Sequence, residues 1–124
     1  MKKLTIQEEE AMQAVWKTGK GFIKDFLDMY PDPKPPYTTL ASIVKKLETK
    51  GYVKGKKYGT VYEYRPAISE SEYTRKFMSG FVRDYFKNSY KELVTSFIKH
   101  KKLSPGELKS IIKTIEEGQR KKSW

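Results

Sequence analysis

Short hydroxyl side chains and ammonium groups occupy one side of the segment 35–53. At about 100° per residue, six of them fall on the same face of a helix: Thr38, Thr39, Ser42, Lys45, Lys46 and Thr49. Serine and threonine can hydrogen-bond to DNA base edges or phosphates, and lysine can bind phosphates or guanine. This face has the composition of a helix that lies in a DNA major groove. A solvated helix face without a function is the alternative, and the helix alone does not decide between the two.

The other side of the same segment is apolar. Its aliphatic residues recur at i, i+3, i+4 and i+7, the spacing of one buried helix face: Leu40, Ile43, Val44 and Leu47. Pro36 suits the first helical position, where its missing N–H is no loss, and Gly51 suits the end of a helix. The spacing therefore predicts a helix from about residue 36 to residue 50, with one face in the core and the hydroxyl and ammonium face free.

A basic segment that alternates like a strand follows at once. Residues 52–66 alternate, turn at glycine and alternate again, which predicts a two-stranded hairpin, with Gly55 and Gly59 allowing the tight turn. A recognition-type helix followed by a basic hairpin is the order of a winged helix-turn-helix. We expect this wing to touch the DNA backbone or the minor groove. The further predicted DNA contacts, from the helix end and the wing, are Lys50, Lys54, Lys56, Lys57 and Tyr58.

Positive charge is concentrated in two parts of the chain. The formal net charge of the 124 residues is +11, and segments 38–66 and 98–124 each carry a net charge of +5. Clustered positive charge fits a polyanion partner, because phosphate binding releases condensed counterions. Solubility alone would also tolerate such a surface, so the charge supports nucleic-acid binding without establishing it.

The residues needed for other kinds of site are missing. The chain has no cysteine, which excludes disulfides and thiolate metal sites, and its one histidine, His100, is flanked by lysines and is expected to be solvated. No glycine-rich phosphate loop and no nucleophile–histidine pair is present, so we expect no enzyme, cofactor or metal site. No run approaches the roughly 20 apolar residues of a membrane span, and Met1-Lys2-Lys3 leads into an amphipathic helix that lacks the apolar core of a signal peptide. We expect a soluble cytoplasmic protein without membrane insertion.

Two helices are predicted before the recognition helix. Thr5 and Glu8 form a capping box for a first helix that ends at about Lys17, and hydrophobic spacing predicts a short second helix over 22–29. The proline-rich segment 31–36 cannot be helical before its last proline. We therefore predict that this segment is the turn of the helix-turn-helix.

Three more amphipathic helices are predicted after the hairpin. A capping box at Ser69 begins a helix of some 17 residues, a second helix follows Ser89, and Ser104 caps a third that stops at Gly118 before a basic tail, 120–122. Three short helices have too much surface to bury their apolar faces alone, so we expect them to pair with a second copy. The predicted dimer residues are Phe77, Phe81, Tyr85, Tyr90, Leu93, Phe97 and Ile111.

Over nearly its whole length the sequence resembles the BlaI/MecI penicillinase-repressor family of winged-helix regulators. The resemblance rests on the order and spacing of several pieces: Leu4-Thr5 with Trp16, the segments 37–40 and 43–53, Tyr62-Glu63-Tyr64, and the segments 93–97 and 103–108. It implies a mainly α fold with a small β-hairpin, divided into a winged-helix DNA-binding domain over 1–67 and a three-helix dimerisation region with its basic tail over 68–124.

The resemblance also implies a function and a means of control. Family members are repressors that sit as dimers on palindromic double-stranded operators, and their base-reading helix corresponds here to residues 38–46. Several are inactivated when a membrane sensor protease pathway causes cleavage at an Asn-Phe bond in the dimerisation region. The aligned pair in this chain is Ser96-Phe97, in which serine replaces the asparagine. A basic architectural or RNA-associated protein without sequence specificity is the alternative function. The short hydroxyl side chains of the helix favour the repressor, because binding by charge alone would not need them.

Overall fold

The computed structural model describes residues 2–122, with side chains described as far as Gly118. In this range the chain forms α1 (Ile6–Thr18), α2 (Ile23–Asp28), α3 (Tyr37–Thr49), β1 (Val53–Tyr58), β2 (Val61–Pro66), α4 (Glu70–Phe86), α5 (Tyr90–Lys99) and α6 (Pro105–Lys122). The predicted fold class is confirmed: a helix-turn-helix is followed by a two-stranded antiparallel wing and then by helices. By its contacts the chain forms two compact units, 1–75 and 76–124. The functional boundary between 67 and 68 stays a prediction.

The core of the first unit lies between α1, α2, α3 and the wing. The predicted stripe of α3 supplies Leu40, Val44 and Leu47, each fully buried in the same core as residues such as Met12 and Phe26. The wing is joined to this core by backbone hydrogen bonds, since Gly21 N–H donates to the Tyr64 carbonyl at 2.9 Å and Tyr64 N–H donates back at 2.8 Å. The hydrophobic stripe of α3 and the wing are thus held by one core.

The predicted cap of α1 is present and forms part of a longer connection. Glu8 N–H donates to Thr5 Oγ1 at 3.1 Å, and Thr5 N–H donates to Glu8 Oε1 at 2.8 Å. The same carboxylate accepts a hydrogen bond from Lys50 Nζ at 2.6 Å, and this ammonium also donates to the Lys3 carbonyl at 3.0 Å. Glu8 is only 3% exposed. The ion pair therefore connects the start of α1 to the end of α3.

The turn of the wing corrects one prediction about its glycines. Gly59 lies in the turn with φ of +61°, a conformation that favours glycine. Gly55 lies inside β1, paired with Tyr64, so it does not take part in the turn. A Cβ at position 55 would stand 2.9 Å from Cε1 of the Tyr64 ring. Gly55 is therefore suited to a close approach across the strand pair and not to chain reversal.

The helix ends of the chain follow the predicted caps with two exceptions. Ser69 Oγ accepts from Glu72 N–H at 3.1 Å, and Ser104 Oγ accepts from Glu107 N–H at 3.1 Å, as expected. Pro36 is the N-cap of α3 and not its first helical residue. Helix α6 continues through Gly118 to Lys122, so the predicted stop is wrong. A glycine inside a helix costs only about 1 kcal/mol, too little to end a helix by itself.

The helices are short or rich in charged residues. Between residues 2 and 122, none has the length and apolar character needed to cross a membrane.

The ion pair between Glu8 and Lys50 predicts a pH-dependent stability. Burial raises the pKa of the Glu8 carboxyl, but hydrogen bonds from Lys50 and Thr5 outweigh burial and hold its pKa below the ordinary value of 4.5. A lowered carboxylate pKa contributes stability above the unfolded-state pKa, and this contribution is lost as the pH falls through the lower folded-state value. Glu8→Gln should lower the free energy of unfolding by about 1–3 kcal/mol near neutral pH.

Urea unfolding at several pH values tests this prediction. The difference between the unmodified chain and Glu8→Gln should shrink as the pH falls below 4.5. Glu10→Gln, on the exposed side of the same helix, is the matched control and should change little. A difference for Glu8→Gln that stays constant at all pH values would contradict the assignment.

Candidate nucleic-acid interface

Helix α3 presents its predicted polar face to solvent. Because its apolar stripe is packed in the core, the opposite side is left free, and five of its predicted DNA-contacting residues lie there. They are Thr38, Thr39, Ser42, Lys45 and Lys46, all exposed. We call these five residues the α3 face. Thr49 lies at its end, where its hydroxyl donates to the Lys45 carbonyl at 3.1 Å. The α3 face offers hydroxyl groups toward its N-terminal part and two ammonium groups toward its C-terminal part.

The wing distributes its lysines over two faces. Side chains alternate along a strand and directly paired residues share a face, so Lys54 lies with Arg65, and Lys56 lies with Glu63. Lys57 pairs with Tyr62 on the face that also carries the buried residues of the wing. Lys54, Lys56 and Lys57 are therefore not all on one surface of the hairpin.

The tip of the wing carries an exposed aromatic side chain. Tyr58, the last residue of β1, is 46% exposed, and the Lys56 ammonium lies 5.3 Å from the centre of its ring. A cation so placed is attracted by the negative face of the ring. Tyr58 and Lys56 therefore form a basic, partly apolar tip.

Lys45 brings the α3 face and the wing together. Its Nζ lies 5.5 Å from the centre of the Tyr62 ring on β2 and 3.2 Å from Oε1 of Glu48 on α3. The hydrogen bond to Glu48 raises the pKa of Lys45, and the negative charge of Glu48 raises it further, so this side chain is held in its charged form. The helix and the wing thus share one cation at their junction.

Lys50 stands apart from this surface. The sequence predicted a DNA contact, but its ammonium is bound to Glu8 and to the Lys3 carbonyl, and its side chain is only 25% exposed. Moving it to a phosphate would leave the nearly buried Glu8 carboxylate unpaired, which is costly. The structure therefore assigns Lys50 to the fold, and we leave it out of the interface.

Sequence reasoning missed two contributors to the junction. These are Glu48 of α3 and Tyr64 of β2, for which the sequence predicted no contact. The Tyr62 and Tyr64 rings stack with centres 6.2 Å apart, and burial raises the pKa of Tyr64. The i, i+3 spacing of Lys45 and Glu48 was the one available signal, since such residues are neighbours on a helix.

The second unit carries much exposed apolar surface. Among the predicted dimer residues, Leu93 is buried and Phe81 is half-buried, while five are exposed in the single chain: Phe77, Tyr85, Tyr90, Phe97 and Ile111. The ring of Phe81 lies near those of Tyr85 and Phe86, at 5.1 and 5.7 Å between centres. An aromatic cluster is therefore formed within α4, and Tyr85 extends from it into solvent.

The candidate cleavage bond lies inside helix α5. Ser96 is half-buried and Phe97 is 44% exposed. The Ser96 carbonyl accepts a hydrogen bond from His100 N–H at 3.1 Å and lies 2.8 Å from His100 Nδ1. The bond is thus in a regular helical conformation, with its carbonyl oxygen engaged.

Within the described part of the chain, histidine and carboxylate side chains form no group of three or more that could hold a metal ion.

Comparison with known proteins gives one family. The model of the penicillinase repressor family matches residues 4–117, which span both compact units. The chain is 24% identical over 107 residues to the methicillin resistance regulatory protein MecI of Staphylococcus aureus strain N315, covering 84% of this chain and 85% of that protein. It is 27% identical over 120 residues to the penicillinase repressor of Bacillus licheniformis, covering 93% and 91%. These matches confirm the predicted resemblance: the chain belongs to the penicillinase repressor family.

Proposed function

We propose that this protein is a transcriptional repressor that binds a palindromic double-stranded DNA operator as a homodimer. The similar proteins named above are a regulatory protein and a repressor, which supports this class of function. The observation that supports the proposal is the shared junction at Lys45, because it places the α3 face next to the face of the wing that carries Tyr62 and Lys57.

The α3 face has the chemistry needed to read bases. A major groove about 12 Å wide admits one α-helix, and the short side chains of Thr38, Thr39 and Ser42 let the helix backbone approach the base edges. Lys45 and Lys46 then lie where they can bind guanine or the flanking phosphates. We propose that this face enters the major groove, with the hydroxyl groups supplying sequence preference.

The wing supplies contacts of a different kind. Lys54 and Lys56 lie on its outer face, opposite the buried residues of the wing, where they can meet the phosphate backbone, and Tyr58 extends this face toward the tip. Lys57 lies on the other face, beside Tyr62, and is exposed there. Phosphate contacts fix position and orientation but carry no direct sequence information. We propose that the wing strengthens binding to all DNA and that the α3 face selects among sequences.

The second unit supports dimerisation through its exposed apolar side chains. Tyr85 is 74% exposed and Ile111 is 42% exposed, and α6 adds Ile112 and Ile115 at helical spacing, both also exposed. Large apolar patches on a single chain mark an interaction surface. A two-fold dimer would bury these residues and give two copies of α3 related by symmetry, as a palindromic half-site pair requires.

The role of α3 in DNA binding can be measured with a duplex selected from a random pool by the purified protein. Lys46→Ala should weaken binding to both the selected and a scrambled duplex, and the slope of log affinity against log salt should fall by about 0.9 for each phosphate that the variant no longer neutralises. Ser42→Ala should mainly relax sequence preference. Lys109→Ala, which removes a charge from exposed α6, controls for net charge.

Two results would argue against this proposal. Unchanged affinity of Lys46→Ala at low and high salt would remove α3 from the interface. Equal affinity of the unmodified protein for selected and scrambled duplexes would favour the architectural protein without sequence specificity.

Sedimentation tests the dimer. The unmodified chain should sediment as a dimer at tens of micromolar, and Phe97→Asp should shift it toward monomer because a carboxylate would be placed in an apolar interface. Lys99→Asp, an exposed position on the same helix, should leave the dimer unchanged. A well-folded monomer for the unmodified chain would contradict the proposed assembly.

Release from DNA by proteolysis is a further part of the proposal. Because the Ser96-Phe97 bond is helical, a protease would need local unfolding of α5 to reach it. A cut there would separate α6 from the rest of the dimer surface, and operator affinity would fall because each monomer holds one half-site.

Intact-mass analysis of the protein from cells treated with a cell-wall inhibitor tests this route. We expect two fragments that meet at Ser96-Phe97. Derepression with the chain still intact would show that the signal acts in another way.

A further inference from the structure

We propose that Glu48 is a specificity-determining positioning residue of the DNA-binding surface, which holds the Lys45 ammonium at the junction of α3 and the wing. This role rests on the proposed function. It adds that one carboxylate limits the attraction of the surface for unselected DNA.

The geometry of Lys45 is set by two contacts from different elements. Glu48 Oε1 lies 3.2 Å from Lys45 Nζ, and the centre of the Tyr62 ring of β2 lies 5.5 Å from the same atom. The Lys45 side chain is 65% exposed, whereas that of Glu48 is 29% exposed. The ammonium therefore faces solvent while its carboxylate partner is seated more deeply.

Glu48 is seated against the wing because position 55 has no side chain. A Cβ on Gly55 would stand 2.9 Å from Glu48 Oε2 and 2.9 Å from Cε1 of the Tyr64 ring. One oxygen of the carboxylate thus meets Lys45, and the other approaches β1 beside Tyr64. The Glu48 carboxylate therefore lies between Lys45 of its own helix and position 55 of the wing.

A paired lysine acts differently from a free one on DNA. A phosphate that approaches Lys45 also approaches the negative charge of Glu48, so non-specific contact with this pair gains little from counterion release. A particular DNA sequence can instead place the hydrogen-bond acceptor of a base next to Lys45 while its phosphates stay away from Glu48. Such a sequence avoids this repulsion. Glu48 therefore penalises unselected DNA more than the operator, a repulsive contribution to specificity.

If the pair of Lys45 and Glu48 served only the fold, Glu48→Gln would lower the free energy of unfolding and leave DNA discrimination unchanged. Exposed pairs at i, i+3 spacing contribute little to folding, so the effect of Glu48 is expected in DNA discrimination and not in stability. The raised pKa of Lys45, caused first by its hydrogen bond to Glu48, is consistent with a formed pair.

The test compares Glu48→Gln with Glu63→Gln, using the selected duplex and a scrambled duplex of the same composition. Glu63 lies opposite Lys56 on the outer face of the wing, so its substitution removes the same charge from the same unit. Glu48→Gln should raise affinity for the scrambled duplex by up to about fivefold, the upper end of what an exposed ion pair contributes, and should raise operator affinity less. Glu63→Gln should change both affinities by one factor and leave their ratio unchanged.

Two further comparisons separate positioning from general structural damage. In a Lys45→Ala background, Glu48→Gln should no longer change the ratio of the affinities for the selected and the scrambled duplex, because the ammonium that Glu48 positions is absent. Tyr62→Leu should lower the ratio, while Tyr62→Phe, which keeps the ring, should preserve it. Thermal unfolding of each variant should stay close to that of the unmodified chain.

The outcomes distinguish the role of Glu48 from the function on which it rests. Glu48 has no positioning role if Glu48→Gln, like Glu63→Gln, changes the affinities for both duplexes by the same factor. The same conclusion follows if the effect of Glu48→Gln persists without Lys45. In both cases the repressor proposal stands. If the unmodified protein does not discriminate between the duplexes, the proposed function fails, and the role of Glu48 fails with it.

Discussion

The packing of the apolar stripe of α3 is the constraint on which the rest of the first unit depends. Leu40, Val44 and Leu47 are fully buried, and truncating a buried leucine to alanine costs about 2–5 kcal/mol. The helix therefore cannot rotate about its axis without losing a large part of the stability of a small domain. Its other face is fixed toward solvent, and the wing is fixed beside it by the backbone bonds of Gly21 with Tyr64.

Much of this arrangement could be predicted from the sequence because it depends on local patterns. The helical spacing of α3, the caps at Thr5, Ser69 and Ser104, and the alternating hairpin all involve residues close in sequence, and the structure confirms them. The order of these elements also indicated the family, which the comparisons confirm.

The contacts that were not predicted involve residues whose surroundings are set by other parts of the chain. The sequence predicts that Lys50 is a surface cation, but its ammonium binds the Glu8 carboxylate, 42 positions away in the chain. Gly55 reads as a turn residue, but the Tyr64 ring and the Glu48 carboxylate occupy the space of its missing side chain. Periodicity and composition carry no information about such partners. The i, i+3 spacing of Lys45 and Glu48 was visible in the sequence, but the approach of Lys45 to Tyr62 and the role of Gly55 were not.

In the proposed complex, two copies of the α3 face lie in successive major grooves of a symmetric operator. Hydroxyl-radical footprinting of the selected duplex measures this placement. We expect two protected segments related by a dyad, with centres about one helical turn, roughly 10–11 base pairs, or a multiple of it apart. A single protected segment, or uniform weak protection along the duplex, would contradict it.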